Sequence, residues 1–180
     1  MALTSKKIVG TTILAMIPGL MGMAIVWGMG ILQNLILLLI FAIITDLAIL
    51  KVKALPLSQY RKVYPSSTLT VLLISICLPP AVTPGILLVA CLASIGLARE
   101  AYGGIGRNIY NPAMVGYAVI VLAFPHHLAI WPSEVNGLTG ATLLTEFKYR
   151  DGITITEFLS THHLTVRSSQ LVTLAFLLGG

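Results

Sequence analysis

Two apolar stretches, each about as long as a lipid bilayer is thick, constrain the fold of this chain most strongly. They cover residues 8–27 and 31–50, and the short glycine-containing turn at residues 28–30 separates them. A helix of about 20 apolar residues spans the hydrocarbon core of a bilayer. The first stretch, interrupted by Pro18-Gly19, follows Lys6 and Lys7 and is too long for the apolar region of a cleavable signal peptide. The sequence therefore predicts a membrane-embedded helical hairpin.

The composition supports the bilayer as the solvent of this chain. Hydrophobic residues make up 57% of it and charged residues only 9%, whereas soluble domains carry about 25% charged residues. The net charge of +5 would suit nucleic acid in a soluble protein, but these charges lie between apolar runs. We therefore predict an all-α protein surrounded by membrane lipid, with no nucleic-acid partner. Cys77 and Cys91 lie inside apolar runs and are interpreted as small buried side chains.

Two further apolar runs are shorter than a plain membrane span. Residues 69–78 and 86–98 form these runs, and Pro79-Pro80 and Pro84-Gly85 separate them. Each falls below the length of about 20 residues that a simple crossing needs. Two arrangements remain open from the sequence: short, tilted crossing helices, or a broken re-entrant pair. Interrupted helices in membrane proteins often mark binding sites.

The second half of the chain continues with one helix, a polar segment and a final apolar run. Asn111-Pro112 is typical of a helix start, and the helix is predicted to end near Phe124, before Pro125. Residues 126–169 are mostly polar, and residues 170–180 begin a new apolar run. The prediction is about five transmembrane helices over residues 1–125, two of them short or broken. An outer loop (126–169) and the start of a sixth helix (170–180) follow.

The basic residues predict the orientation. If five crossings alternate, eight of the eleven fall on one side of the membrane: Lys6, Lys7, Lys51, Lys53, Arg61, Lys62, Arg99 and Arg107. Loops rich in lysine and arginine stay in the cytoplasm. The N-terminus is therefore predicted to be cytoplasmic and the 126–169 loop to lie outside.

Asp46 is an acidic residue near the end of the second apolar stretch. A carboxylate at the centre of a bilayer costs about 2.5–3.5 kcal/mol on insertion scales. Near the boundary it can reach polar headgroups, with Lys51 and Lys53 close by. We favour this structural interpretation, and a role in an ion pathway is the alternative.

A cluster of small and hydroxyl residues distinguishes the polar loop. The stretch "EVNGLTGATLLTEFK" covers residues 134–148, and Gly140 and Ala141 directly precede the hydroxyl of Thr142. These small side chains leave the hydroxyl open to a large reaction partner. On the pattern alone, an ordinary turn between helices explains the stretch, and Thr139 offers a competing hydroxyl.

Three stretches together resemble one family. "YGGIGRNIYNPAMVGYAVIVLAFP" and "TVLLISICLPP" resemble segments of the D subunit of the Rnf ion-translocating electron transport complex, which shares them with the B subunit of the sodium-translocating NADH:quinone reductase. "NGLTGATLLTEFK" resembles the flavin attachment sequence of that family. The resemblance covers nearly the whole chain. That family builds its membrane domain from two related halves, so residues 1–125 correspond to the first helix repeat.

The resemblance implies a covalent flavin. In the family, a flavin transferase links FMN by a phosphoester bond to the last threonine of the motif, on the outer face of the membrane. Here that acceptor is Thr142, and the surrounding motif positions are Asn136, Gly137, Thr139, Gly140 and Ala141. The implied role is a subunit that passes electrons within a redox-driven cation pump. It would lie in a bacterial inner membrane, with the Thr142 loop periplasmic, beside the other subunits of the complex, and would not be catalytic alone.

Departures from the family pattern keep alternatives open. Asn136 stands where the family has an aspartate, and Leu143 stands where the D subunit commonly has proline. The chain also ends as the sixth helix begins. The alternatives are a truncated, non-flavinylated structural subunit or remnant of the same complex, or a transporter-like module that uses the broken pair at 69–98.

No metal site is predicted. The histidines of the loop occur as the adjacent pairs His126-His127 and His162-His163. Adjacent side chains point apart on a helix or strand, so each pair is a poor chelate.

Overall fold

The computed structural model describes residues 5–128, 131–132, 139–140, 147–149, 152–161 and 163–179. Its helices are α1 (Ser5–Trp27), α2 (Gly30–Val52), α3 (Tyr60–Cys77), α4 (Pro84–Cys91, continued by π-helical turns over Leu92–Ala101), α5 (Pro112–Ala123), α6 (Pro125–Leu128), α7 (Ile155–Thr161) and α8 (His163–Gly179). A 3-10 turn, Leu57–Gln59, precedes α3, and two-residue strands, β1 (Trp131–Pro132) and β2 (Thr139–Gly140), form one antiparallel ladder.

The prediction of an all-α membrane protein is confirmed. Three described helices are long and apolar enough to cross a membrane: α1 over Lys7–Trp27, α2 over Gly30–Val52, and α4 with its π-helical continuation over Pro84–Ala101. Helix α5 is apolar but shorter. Helix α3 starts with the cations Arg61 and Lys62, which lower its average hydropathy.

Helix α1 is continuous, although the sequence predicted an interruption at Pro18-Gly19. A Cβ at Gly19 would collide with the ring of Phe176 in α8, so the glycine permits close helix packing. A Cβ at Gly22 would lie 2.9 Å from the Cβ of Ala175. Residues later in α1 face residues earlier in α8, so the two helices are antiparallel. Helix α8 begins at His163, earlier than the predicted start of the final helix at residue 170.

The structure resolves the choice that the sequence left open for the pair at 69–98. Helix α3 runs beside α2 over almost its whole length, because Ser67 contacts Asp46 near one end and Ala81, just after α3, contacts Gly30 at the other. Helix α4 then returns antiparallel, and its Arg99 reaches Asp46 again. Both helices therefore traverse the bundle as α2 does. Of the two arrangements, crossing helices are the one that the structure shows, and the transporter-like alternative stays a prediction.

A buried side chain from α2 stabilises the proline-rich break between α3 and α4. The Asn34 side-chain amide donates a hydrogen bond to the Pro79 carbonyl (2.7 Å), and its Oδ1 accepts one from the Val82 N–H (3.0 Å). The Ala81 N–H donates to the Gly30 carbonyl at 3.3 Å. Backbone groups freed by a helix break are tolerated in a membrane protein when protein groups satisfy them. Asn34 performs that task here.

Replacing Asn34 with leucine is expected to lower the thermal unfolding midpoint of the chain in detergent. The change leaves the Pro79 carbonyl and the Val82 N–H buried without their partner, at about 1–3 kcal/mol for each unsatisfied group. The matched control is Gln33→Leu, because Gln33 is the exposed neighbour on the same helix. The unfolding midpoint of both variants is measured by size-exclusion chromatography after heating. Equal midpoints for Asn34→Leu and the parent chain would contradict this role.

Candidate functional site

The two ends of the helical bundle differ in character. The turn between α1 and α2 meets the α3–α4 break through Gly30 and Ala81, and both lie at one end. The opposite end holds the contact of Lys53 with Glu100. Helix α5 leaves this charged end, and Phe124 and Leu128 beyond its far end pack against the core cluster that contains Leu78 and Val82. The segment carrying the Thr142 motif follows α6, and its side of the membrane stays a prediction.

Part of the Thr142 motif lies in a short β-ladder. Thr139 and Gly140 form β2, and their Cα partners are Pro132 and Trp131 of β1. Gly140 is two positions before Thr142. The remaining motif positions lie outside the described residues: Asn136, Gly137, Ala141 and Thr142. The flavin site formed by these residues stays a prediction.

Described residues flank the Thr142 segment on both sides. Before it, the ladder between β1 and β2 fixes the backbone outside the helices. After it, the Phe147 ring makes an edge contact with Phe158 of α7, with ring centroids 5.3 Å apart. A threonine hydroxyl in such a connection is a suitable nucleophile for phosphoryl transfer. The residue type at position 142 is therefore compatible with FMN held through its phosphate.

The loop histidines do not assemble into a metal site in the described part of the chain. His126 and His127 of α6 have ring centroids 6.1 Å apart at an interplanar angle of 68°. Among the described residues, no group of three or more His, Cys, Asp or Glu side chains could hold a metal ion.

The structure reveals a buried ionic cluster that the sequence interpretation missed. The Arg99 guanidinium donates to the Asp46 carboxylate at 2.5 Å and to Ser67 Oγ at 2.5 Å. Ser67 in turn donates to the other oxygen of Asp46 at 2.6 Å. The side chains of Asp46 and Arg99 are each only 1% exposed. The interpretation that Asp46 reaches headgroups is therefore wrong, because two partners from α3 and α4 hold its carboxylate inside.

The cluster continues outward as a series of alternating charges. Arg99 Nε donates to Glu100 at 2.8 Å, and Lys53 donates to the same carboxylate at 2.5 Å. The side-chain exposure rises from 1% at Arg99 through 13% at Glu100 to 43% at Lys53. A cavity of about 70 Å³ lies beside these side chains, and Gln59 and Val63 also line it. We call this cavity the vestibule. It joins the charged end of the bundle to the buried ion pair.

The sequence carries one signal of this cluster. An ionisable residue inside an apolar helix normally has a partner within the protein, and Asp46 met that description. Its partner is 53 positions away in the chain. Only the packing of α4 beside α2, in the same direction, brings Arg99 to it.

Comparisons with known proteins agree in pointing to one family. A family model described as the NQR2, RnfD, RnfE family matches residues 1–180. A protein from Ectopseudomonas mendocina (strain ymp), named as the D subunit of an ion-translocating oxidoreductase complex, is 32% identical over 98% of this chain and 57% of its own length. Proteins of the same name are 32% identical in Sodalis glossinidius (strain morsitans), over 88% of this chain and 47% of the relative, and 35% identical in Yersinia pestis, over 71% and 36%. The chain thus spans about half the length of the curated relatives it matches.

Proposed function

Because the chain belongs to the NQR2, RnfD, RnfE family, we propose that it is a membrane subunit of an ion-translocating electron transport complex. The observation that carries this proposal is the family match over all 180 residues, which includes both the helices and the Thr142 motif. Its relatives are named as the D subunit of an ion-translocating oxidoreductase complex. The partners we propose are the other subunits of such a complex, beside which this chain moves electrons in a redox-driven cation pump.

Thr142 is the residue we propose as the anchor of covalent FMN. Bound flavin supplies transfer of one or two electrons. The chain supplies the hydroxyl that forms the phosphoester, and the small side chains of Gly140 and Ala141 give a flavin transferase access to it. Asn136, Gly137 and Thr139 complete the sequence that the transferase would recognise. The β-ladder at Thr139–Gly140 would start the tether from a fixed point.

The proposed orientation follows the distribution of charge. The described basic residues Lys51, Lys53, Arg61 and Arg107 lie at or beside the loops of the charged end. Basic loops remain cytoplasmic. The Thr142 segment would then face the periplasm of a bacterium, with the helices in the inner membrane.

Two measurements on one preparation test this function. The chain is co-expressed with a flavin transferase, and its band on a denaturing gel is examined for flavin fluorescence. We expect a fluorescent band that is absent when the transferase is omitted. A dark band would overturn the flavin assignment. Co-purification with the other complex subunits tests complex membership independently, since assembly does not require fluorescence.

A second candidate function, a structural subunit without flavin, is favoured by Asn136. The family motif has an acid at this position, and asparagine carries no charge. If the transferase reads that charge, Asn136→Asp will raise the amount of flavin bound per chain. Ser133→Asp is the matched control, because it adds the same charge to the same segment outside the motif. Flavin absorbance per mole of purified protein measures both. Equal flavin content in the parent chain and Asn136→Asp would show that asparagine serves as well as the acid.

A further inference from the structure

The buried ion pair closes the inner end of the vestibule. Asp46, Arg99 and Glu100 all line this cavity, and Lys53 lines it nearer the surface. Asp46 belongs to α2, Ser67 to α3 and Arg99 to α4, so their mutual hydrogen bonds join three helices at one point. A single side-chain movement at Arg99 would release two of these three contacts.

Arg99 points in the direction opposite to that expected from its position. It lies close to the end of the π-helical turns that finish at Ala101. Long cationic side chains near a helix end usually extend to the membrane interface. Arg99 instead extends inward and is 1% exposed. Because buried ion pairs are often no more stable than apolar residues of the same volume, a gain in stability does not by itself account for this arrangement.

The side chains behind the ion pair belong to the packed interior. Thr45, adjacent to Asp46, has its Oγ1 3.7 Å from the Cys91 sulfur. Cys91 is completely buried in the larger core cluster, beside Leu87 and Ile95. It precedes Arg99 on the same continuous helix by about two turns. The ion pair thus separates the vestibule from the core around Cys91.

We propose that Asp46, Ser67 and Arg99 form a latch that shuts the vestibule against the interior of the bundle. When Arg99 is held by Asp46 and Ser67, the route from the charged end stops at the ion pair. When Arg99 leaves Asp46, water and small solutes pass between α2, α3 and α4 as far as Thr45 and Cys91. This device goes beyond the redox role proposed above and does not depend on flavin.

The native Cys91 thiol provides a reporter for the latch. In a Cys77→Ala background the chain keeps a single cysteine, Cys91. The full chain is placed in lipid nanodiscs and treated with a small, water-soluble methanethiosulfonate reagent. We expect negligible labelling with the latch intact and labelling at least about tenfold faster in Arg99→Gln, since the reaction rate follows the opening equilibrium. Lys53→Gln, which removes only the outer link to Glu100, should leave Cys91 protected.

Two control thiols separate local opening from access and from global unfolding. In a chain lacking both native cysteines, Val63→Cys places a thiol on the vestibule wall, and it should react alike with and without Arg99→Gln. Met23→Cys places one in a smaller core cluster, in which Met23 is 3% exposed and packs with Leu20, Ile31, Leu72 and Val172. It should stay protected in Arg99→Gln, because the latch lies in another part of the bundle.

Three results would overturn the latch. The first is continued protection of Cys91 in folded Arg99→Gln. The second is an increase in the labelling rate of Cys91 in Lys53→Gln that is as large as the increase in Arg99→Gln. The third is exposure of Met23→Cys in folded Arg99→Gln as large as that of Cys91, because the opening would then not be confined to the ion pair. If Arg99→Gln does not fold, the double variant Asp46→Asn/Arg99→Gln avoids an unpaired buried charge, and the same criteria apply to it. None of these outcomes bears on whether Thr142 carries flavin.

Discussion

Arg99→Leu is expected to lower the free energy of unfolding of the bundle by about 3–5 kcal/mol, because it leaves the Asp46 carboxylate buried without its cation. Asp46 is 1% exposed, lies more than one helical turn from the end of α2 and has no flexible stem with which to reach water. Ser67 would remain as a single hydrogen-bond donor to it. Unfolding of the purified chain in mixed micelles, followed by circular dichroism, measures the loss.

Asp46→Leu, which removes the acid of the pair, is expected to lower the free energy of unfolding less than Arg99→Leu does. In Asp46→Leu the unpaired group is Arg99, whose long side chain starts close to the end of its helix and can turn toward the interface. The double variant Asp46→Leu/Arg99→Leu should recover most of the stability, because it leaves no buried charge. Arg61→Leu is the matched control, since it removes an exposed arginine near the start of α3. A double variant no more stable than Arg99→Leu would contradict the ion-pair explanation.

The second large effect is expected at the flavin motif. Thr142→Ala should remove covalent flavin completely, because alanine has no oxygen with which to form the phosphoester. Thr139→Ala should retain flavin if the last threonine of the motif is the acceptor, as the family resemblance implies. Thr142→Ser keeps a hydroxyl at the same position and should restore part of the flavin. Fluorescence on denaturing gels, normalised to stained protein, compares the three variants.

The controls for this series lie in the motif itself. Thr139 and Thr142 are three positions apart and share the same neighbours, so a general defect in folding or export would affect both variants. Retention of flavin in Thr142→Ala, or its loss only in Thr139→Ala, would show that Thr142 is not the attachment point. Loss in both would indicate that the motif must be intact for recognition, and the site would then need direct mapping.

The helices were the most predictable part of the fold. The apolar runs at 8–27 and 31–50 correspond closely to α1 and α2, because a continuous apolar pattern of that length has few other solutions in a bilayer. The positions of the prolines predicted helix breaks less well. Pro18 and Pro65 both lie inside helices, whereas the turn at Pro79-Pro80 is a real break. Tertiary contacts distinguish that break, because the Asn34 side chain supplies hydrogen-bond partners for the backbone of Pro79 and Val82.

The two candidate sites differ in how far the sequence could predict them. The Thr142 motif is contiguous, so its residue order alone carried the resemblance, and its geometry was not needed. The ionic cluster has no local pattern, because Asp46, Ser67 and Arg99 come from three helices. Charge in an apolar helix indicated that Asp46 was unusual. The direction of its side chain depended on packing, and the headgroup interpretation failed for that reason.

The most direct test of the central claim is peptide mapping of the chain co-expressed with a flavin transferase. The protein is digested, and the fragment that contains residues 134–148 is sequenced by tandem mass spectrometry. We predict one FMN group, linked through its phosphate, on the Thr142 hydroxyl. An unmodified fragment from a correctly inserted chain, or a flavin on another residue, would contradict the assignment of Thr142 as the flavin anchor.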